Sequence, residues 1–289
     1  FAVNPLKASY RIQFDVLDKS TGKTRSFQVD LPDSPYSSRG IIDVQRIGGA
    51  LKTAVLYEQA DSDAQLPASE VRVYDIDMSE PRLTGSSAVN LGIGPQDGRE
   101  IRVTAVREYD WTSPSGDLPL EITVMNGDTA PDAEEIADDG MPRATEKRIT
   151  VTEHRLAVYH YADGSVSSVP LPMEGEDAGS LQRIGDNAVW SMQGGNKLQI
   201  KSYRVSDGTL VYEGQWTKND LGAQSLHLTA IGPDRLYLSF KAQGRPAVAA
   251  IDPANGKIVY QGAVTAEGSA EEQKIRLANL EVYWIFLNG

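Results

Sequence analysis

The side chains best suited to proton transfer or metal ligation are His154, His160 and His227, and each falls in or beside an apolar stretch that alternates like a strand. His160 stands between Tyr159 and Tyr161, so a surface or inter-strand position accounts for it. A catalytic or metal-binding role would need partners converging from other strands, and spacing alone supplies none. The chain has no Gly-x-Ser-x-Gly elbow, phosphate loop, Gly-x-Gly-x-x-Gly after a strand or His-Glu-x-x-His. Calcium is the one cofactor its acidic side chains could hold. Asp132 to Asp139 and the pair Asp61 and Asp63 offer hard oxygens, but neither has EF-hand spacing, and a charged surface loop explains both. Four tryptophans could line a ligand groove. Trp190 and Trp284 sit inside strongly apolar runs and read as core, whereas Trp111 lies where Tyr109-Asp110-Trp111-Thr112-Ser113-Pro114 leaves a strand for a turn. Tyr109 and Trp111 are therefore the expected ligand-binding residues, and no catalytic or metal residue is assigned.

The totals narrow the classes further. With no cysteine there is no disulfide, thiolate nucleophile or zinc ribbon, and the chain fits an exported bacterial protein. A net charge of −12 opposes phosphate-backbone binding and excludes nucleic acid as the expected partner. Apolar residues at 40% and charged ones at 24% are those of a globular chain able to bury a core. No run approaches the about 18 apolar residues of a membrane helix. The opening Phe1-Ala2-Val3-Asn4-Pro5 reads as the trimmed end of something longer, with a removed signal or membrane anchor before it.

Repeats organise the elements. Asp207-Gly208-Thr209-Leu210-Val211-Tyr212-Glu213-Gly214 is echoed 48 positions later by Asn255-Gly256-Lys257-Ile258-Val259-Tyr260-Gln261-Gly262. Each copy follows an apolar run and predicts strand, glycine turn, strand. Asp18 to Lys23 and Asp163-Gly164-Ser165 are further turns of this kind. A second marker, Gln45-Arg46-Ile47-Gly48, recurs as Gln182-Arg183-Ile184-Gly185 and more loosely as Ala230-Ile231-Gly232, each just ahead of an apolar strand. Two strands are expected before residue 32, four between 41 and 91, and four in each of the stretches 180–216 and 226–264. Residues 99–171 are less regular, with candidates at 100–109, 118–124, 148–152, 156–161 and 166–171. Between them, Gly127 to Glu146 holds seven acids and one base and reads as an acidic surface insertion. The chain ends in two further predicted strands, 274–280 and 281–287.

Successive four-stranded antiparallel units with glycine turns are the signature of an all-β fold of β-propeller type. The expectation is one domain over 1–289 with about five blades, six or seven remaining open, closed by a blade that both termini share. The unit Ala250-Ile251-Asp252-Pro253-Ala254-Asn255-Gly256-Lys257-Ile258-Val259-Tyr260 resembles the repeat of pyrroloquinoline-quinone-like propellers. In that family an Ala-x-Asp-x-x-Thr-Gly-Lys turn is followed by an aromatic that packs between blades. The resemblance implies that architecture, with Tyr212 and Tyr260 as packing residues, but not the family's quinone chemistry, whose adjacent-cysteine disulfide cannot exist here. The expected function is a noncatalytic extracytoplasmic propeller that binds a protein or cell-surface ligand, as the ectodomain of a membrane-anchored protein. The alternative is a hydrolase or lyase acting on a saccharide or peptide, with coupled carboxylates at a central channel.

Overall fold

The computed structural model describes residues 2–5, 11–32, 38–58, 69–92, 99–106, 116–128, 148–173, 178–194, 197–231 and 235–278. These residues form five antiparallel sheets in which chain neighbours are sheet neighbours. Sheet I contains β1 (Ala2–Pro5), β2 (Arg11–Leu17) and β3 (Thr24–Asp30). Sheet II contains β4 (Ser38–Ile47), β5 (Ala50–Glu58), β6 (Ser69–Asp77) and β7 (Arg82–Ala88). Sheet III contains β8 (Arg99–Ala105), β9 (Asp117–Asp128), β10 (Arg148–His160) and β11 (Val166–Pro170). Sheet IV contains β12 (Ser180–Ile184), β13 (Asn187–Gly194), β14 (Lys197–Arg204) and β15 (Leu210–Thr217). Sheet V contains β16 (Ala223–Ile231), β17 (Leu236–Ala242), β18 (Arg245–Ile251) and β19 (Ile258–Ala263), and is followed by the helix α1 (Ala270–Ala278).

One turn recurs in sheets I, III, IV and V, between the last two strands of each. In sheet III the amide of Gly164 donates to His160 O at 2.8 Å and the amide of His160 donates to Ser165 O at 2.9 Å. The same pair of bonds joins Asp18, Gly22 and Lys23, then Arg204, Gly208 and Thr209, then Asp252, Gly256 and Lys257. Closing so short a loop forces the fifth residue into the left-handed region, and the four glycines have φ between +67 and +74. The residue before each glycine, Thr21, Asp163, Asp207 or Asn255, accepts the amide two positions on with its side-chain oxygen. This local chemistry is why the repeat is visible in the sequence. The Ile-Gly marker is equally local: Ile47–Ala50 and Ile184–Asn187 are the closing pairs of two-residue hairpins between the first two strands of sheets II and IV.

The described chain divides into two compact units, Phe1–Ala105 with Pro114–Pro170, and Val106–Ser113 with Leu171–Gly289. In the first, sheet II is apolar on both faces. Val55, Tyr57, Tyr74 and Ile76 pack on Phe14, Phe27 and Val29 of sheet I, while Ala54, Leu56, Val71 and Val73 pack on Leu120, Ile122 and Tyr159 of sheet III. Period-2 alternation thus serves two cores from one sheet. The described buried side chains of sheet I, Ile12, Phe14, Phe27 and Val29, face sheet II. Its other face is polar, with Arg11 on Asp30 at 2.5 Å and Ser26 donating to Asp15 at 2.5 Å. In the second unit, Leu198, Ile200 and Trp216 of sheet IV pack on Leu236, Leu238 and Phe240 of sheet V.

The structure corrects three expectations. The candidates 148–152 and 156–161 are one thirteen-residue strand, β10, with a register shift between Val151 and Glu153. Sheet III is therefore a complete set of four. Residues 274–278 are helical, in α1, rather than part of a strand, while 281–287 lie outside the described residues. Sheet I takes three strands from the chain start, where Ala2–Pro5 pairs with Ile12 to Asp15, and the other C-terminal strand expected to share a terminal sheet lies in the 281–287 stretch outside the described residues. Lastly, Tyr260 is not a buried packing residue but 57% exposed. Arg148 pairs with Asp128, so the acidic insertion leaves and rejoins sheet III between β9 and β10, and residues 129–147 lie outside the described residues.

Candidate functional site

Sheet III carries the densest group of chemistry-bearing side chains among the described residues. On β10, Ala157 and Tyr159 point toward sheet II, so His154, Leu156, Val158 and His160 share the opposite face. Register then fixes their neighbours. His160 lies directly across from Asp117, and its Nδ1 is 2.8 Å from Asp117 Oδ1. Val158 pairs with Ser167, which places Ser167 diagonally from His160, with Oγ 3.2 Å from Nε2. A carboxylate only accepts, so Nδ1 holds the proton in the neutral ring, and Nε2 accepts from the Ser167 hydroxyl.

Asp–His–Ser connectivity of this kind can move a proton from the serine to the imidazole while the carboxylate orients the ring. Acyl transfer also needs donors aimed at a developing oxyanion. The described apolar neighbours on this face are Pro119, Leu156 and Val158, all buried, and the hydroxyl of Ser165, opposite His160, donates to Asp163 Oδ1. The three polar side chains are aligned by the sheet itself and bond to one another.

At the far end of the same face, His154 is buried and its Nε2 lies 2.8 Å from Glu121 Oε1. Its Nδ1 is buried without a hydrogen-bond partner among the described residues. A second polar cluster ties sheet II to sheet III. Gln45 donates to Asp43 Oδ2 at 2.8 Å and to Asp117 O at 3.1 Å, and accepts the Gly116 amide at 3.0 Å. The Tyr161 hydroxyl donates to Asp43 Oδ2 at 2.7 Å. Burial foremost, and then the Asp43 charge, push the Tyr161 hydroxyl far above the usual phenol range, so it remains a donor at all ordinary pH. Replacing Tyr161 with Phe should cost roughly 1 to 3 kcal/mol, because it leaves the half-buried Asp43 carboxylate short of a donor. Urea unfolding of the variant beside the parent measures this.

Tyr74 is raised in the same direction, by burial first and then by its 2.6 Å hydroxyl contact with Tyr57. For both tyrosines the folded value lies above the ordinary phenol value of about 10. The unfolded chain thus loses these protons first, and stability is held below pH 10 and falls as pH rises through and beyond it. Melting temperature followed from neutral pH upward should decline there, together with delayed phenolate absorbance.

The residues singled out from sequence fare unevenly. Tyr109, Trp111 and Trp284 lie outside the described residues, as do the side chain of His227, the pair Asp61 and Asp63, and Asp132 to Asp139. Among the described residues no three acidic or histidine side chains converge as a metal site. Trp190 is core, as expected, and its indole N–H donates to Ala178 O at 2.7 Å. Tyr212 packs as expected on the Gly256 turn of the next sheet. Asp117, Ser167, Asp43, Gln45 and Tyr161 are not assigned to a site from sequence. The Asp163-Gly164 turn could have located Ser167, since it sets Ser165 opposite His160.

No family model matches the chain, and no curated protein does. Solved structures with some likeness include an acylaminoacyl peptidase from Pyrococcus horikoshii, with 11% identity over 88% of this chain and 37% of that one and a TM-score of 0.34. The polysaccharide lyase Uly1 has 14% identity over 89% and 53%, with a TM-score of 0.39. The uncharacterized protein lmo1340 from Listeria monocytogenes EGD-e has 9% identity over 89% and 77%, with a TM-score of 0.29. The chain thus spans about a third to a half of the first two proteins. In its own right it is all-β, built of repeated antiparallel sheets, and no described helix is long and apolar enough to cross a membrane.

Proposed function

We propose that this chain is a noncatalytic binding or scaffolding protein, working outside the cytoplasm as the ectodomain of a membrane-anchored bacterial protein. In this reading its five sheets are blades of a β-propeller, and its partner is a protein or cell-surface ligand. One observation carries the noncatalytic part. The only described Asp–His–Ser group is half-buried and lies flat on a sheet beside buried apolar neighbours, its members bonded to one another. The repeated turn and the doubly apolar sheet II support a rigid frame that presents loops, which is where such frames carry binding. Tyr109 and Trp111, in the connection from β8 to β9, are the proposed contact residues.

A hydrolase or lyase acting on a saccharide or peptide is the second reading, and the Asp117–His160–Ser167 connectivity is what favours it. One experiment separates the two. Incubated with a fluorophosphonate, the chain should leave Ser167 unmodified in peptide mass spectra. Labelling at Ser167 that disappears in His160→Ala would overturn the noncatalytic reading. Location has its own test: protease added to intact cells that carry the natural upstream sequence should degrade this chain, and full protection would place it inside.

A further inference from the structure

The second face of sheet V repeats, position by position, a face that is covered in sheet IV. Sheet IV meets sheet V with Ile200 beside Gly214 and Ser202 beside Tyr212, and Leu198 beside Trp216. Leu198 and Ile200 are fully buried there, against residues of sheet V. Sheet V offers the same set one sheet later, with Val248 beside Gly262 and Ala250 beside Tyr260, and Val264 joined to Pro246 by an amide–carbonyl bond of 2.8 Å. The two tyrosines also adopt the same pose, each ring lying over the glycine two residues ahead, Gly214 or Gly262.

They differ in what covers them. The Tyr212 ring rests on Gly256 of the neighbouring sheet, whereas Tyr260 stands 57% exposed, beside Val259 at 46%. Ile275 of α1 is 72% exposed as well, although α1 packs on β18 next to that strand. An apolar set of this pattern, covered in one sheet but in the next half-buried at Val248 and Val264 and exposed at Tyr260, marks a face built to receive a further layer.

The chain carries a matching segment at the right place. Two residues past the end of α1, outside the described residues, it reads Leu280-Glu281-Val282-Tyr283-Trp284-Ile285-Phe286-Leu287, with one charge in eight positions. Extended, eight residues reach about 26 Å, enough to run the about 20 Å of a six-residue strand such as β19. We propose that residues 280–287 dock on this second face of sheet V as the first strand of its covering layer, with Tyr260 and Val248 beneath them.

Hydroxyl-radical footprinting of the full chain tests this. Tyr260 should be modified several-fold more slowly in the parent than in Val282→Glu/Trp284→Glu, while half-exposed Met173 reacts equally in both and reports an intact fold. Should the charged pair disturb folding, the chain ended at Ala278 gives the same comparison without new charges. Equal rates at Tyr260 in parent and variants would overturn the proposal. So would protection that vanishes on dilution, since that assigns the face to a second copy.

Discussion

Trp190→Ala is expected to lower the stability of the unit that holds sheets IV and V by about 3 to 5 kcal/mol, the cost of emptying an indole-sized site in a packed interior. Trp190 is 1% exposed and stands on β13, on the side of sheet IV away from Val189 and the core shared with sheet V. Two losses would combine. The ring is overlain by Gly179, which has φ of +70 and where an added Cβ would lie 2.7 Å from the indole nitrogen and from Ser191 O. Its N–H also holds the Ala178 carbonyl at 2.7 Å, which fixes the entry to β12. Trp190→Phe should retain most of the packing and lose the bond, costing about 1 to 2 kcal/mol. Guanidine unfolding read by far-ultraviolet circular dichroism distinguishes the two variants. A Trp190→Ala loss below that of Trp190→Phe would mean that the indole is not a packing anchor.

Features set by a few adjacent residues were readable in the sequence, and features set by register were not. The four glycine turns are written as Thr-Gly, Asp-Gly or Asn-Gly because a left-handed residue and a side-chain acceptor are both required within six positions. Where the local code changes phase, the reading slips. Thr152 is the extra residue of the β10 bulge, with its hydroxyl on Val124 O at 3.2 Å, and it reverses the alternation so that one strand reads as two. At 274–278, Ile275 and Leu277 imitate strand spacing, but Ser269 and Glu272 form a capping box: Glu272 Oε2 accepts the Ser269 amide at 2.8 Å. That Ser-x-x-Glu signal precedes the stretch and outranks the alternation. The group Asp117, His160 and Ser167 was illegible for another reason. Its members are fifty residues apart at the extremes, and meet only because β9, β10 and β11 pair in one register.

The acid side of the stability profile follows from the same turns. The Asp18 carboxyl is held down to about 2 by the Ser20 and Thr21 hydroxyls, and Asp163 and Asp207 are lowered by bonds from Ser165 and Thr209. Each folded value lies below the unfolded one, so these contributions are complete above the ordinary carboxylate range and fade as pH falls through it. All three sites are fully solvent-exposed, so the turns keep their shape mainly through the glycine and the two backbone bonds.

That weighting makes the turn glycines decisive, and Gly256 the most so. Gly256→Ala should cost roughly 2 to 5 kcal/mol, adding left-handed strain to forced repacking. At φ of +67 any side chain is strained, and a Cβ there would fall within the ring of Tyr212. Gly22 isolates the first contribution, since its φ is +68 and an added Cβ meets nothing within 4 Å. Gly22→Ala should therefore cost only about 1 to 2 kcal/mol. A double-mutant cycle isolates the second. Made in a Tyr212→Ala background, Gly256→Ala should fall back to the Gly22→Ala cost, because the ring that it strikes has gone. Strict additivity of the two substitutions would mean that Tyr212 does not bridge sheets IV and V through Gly256. It would also remove the covered reference against which the bare Tyr260 face is judged, so the cycle bears on both ends of the repeat.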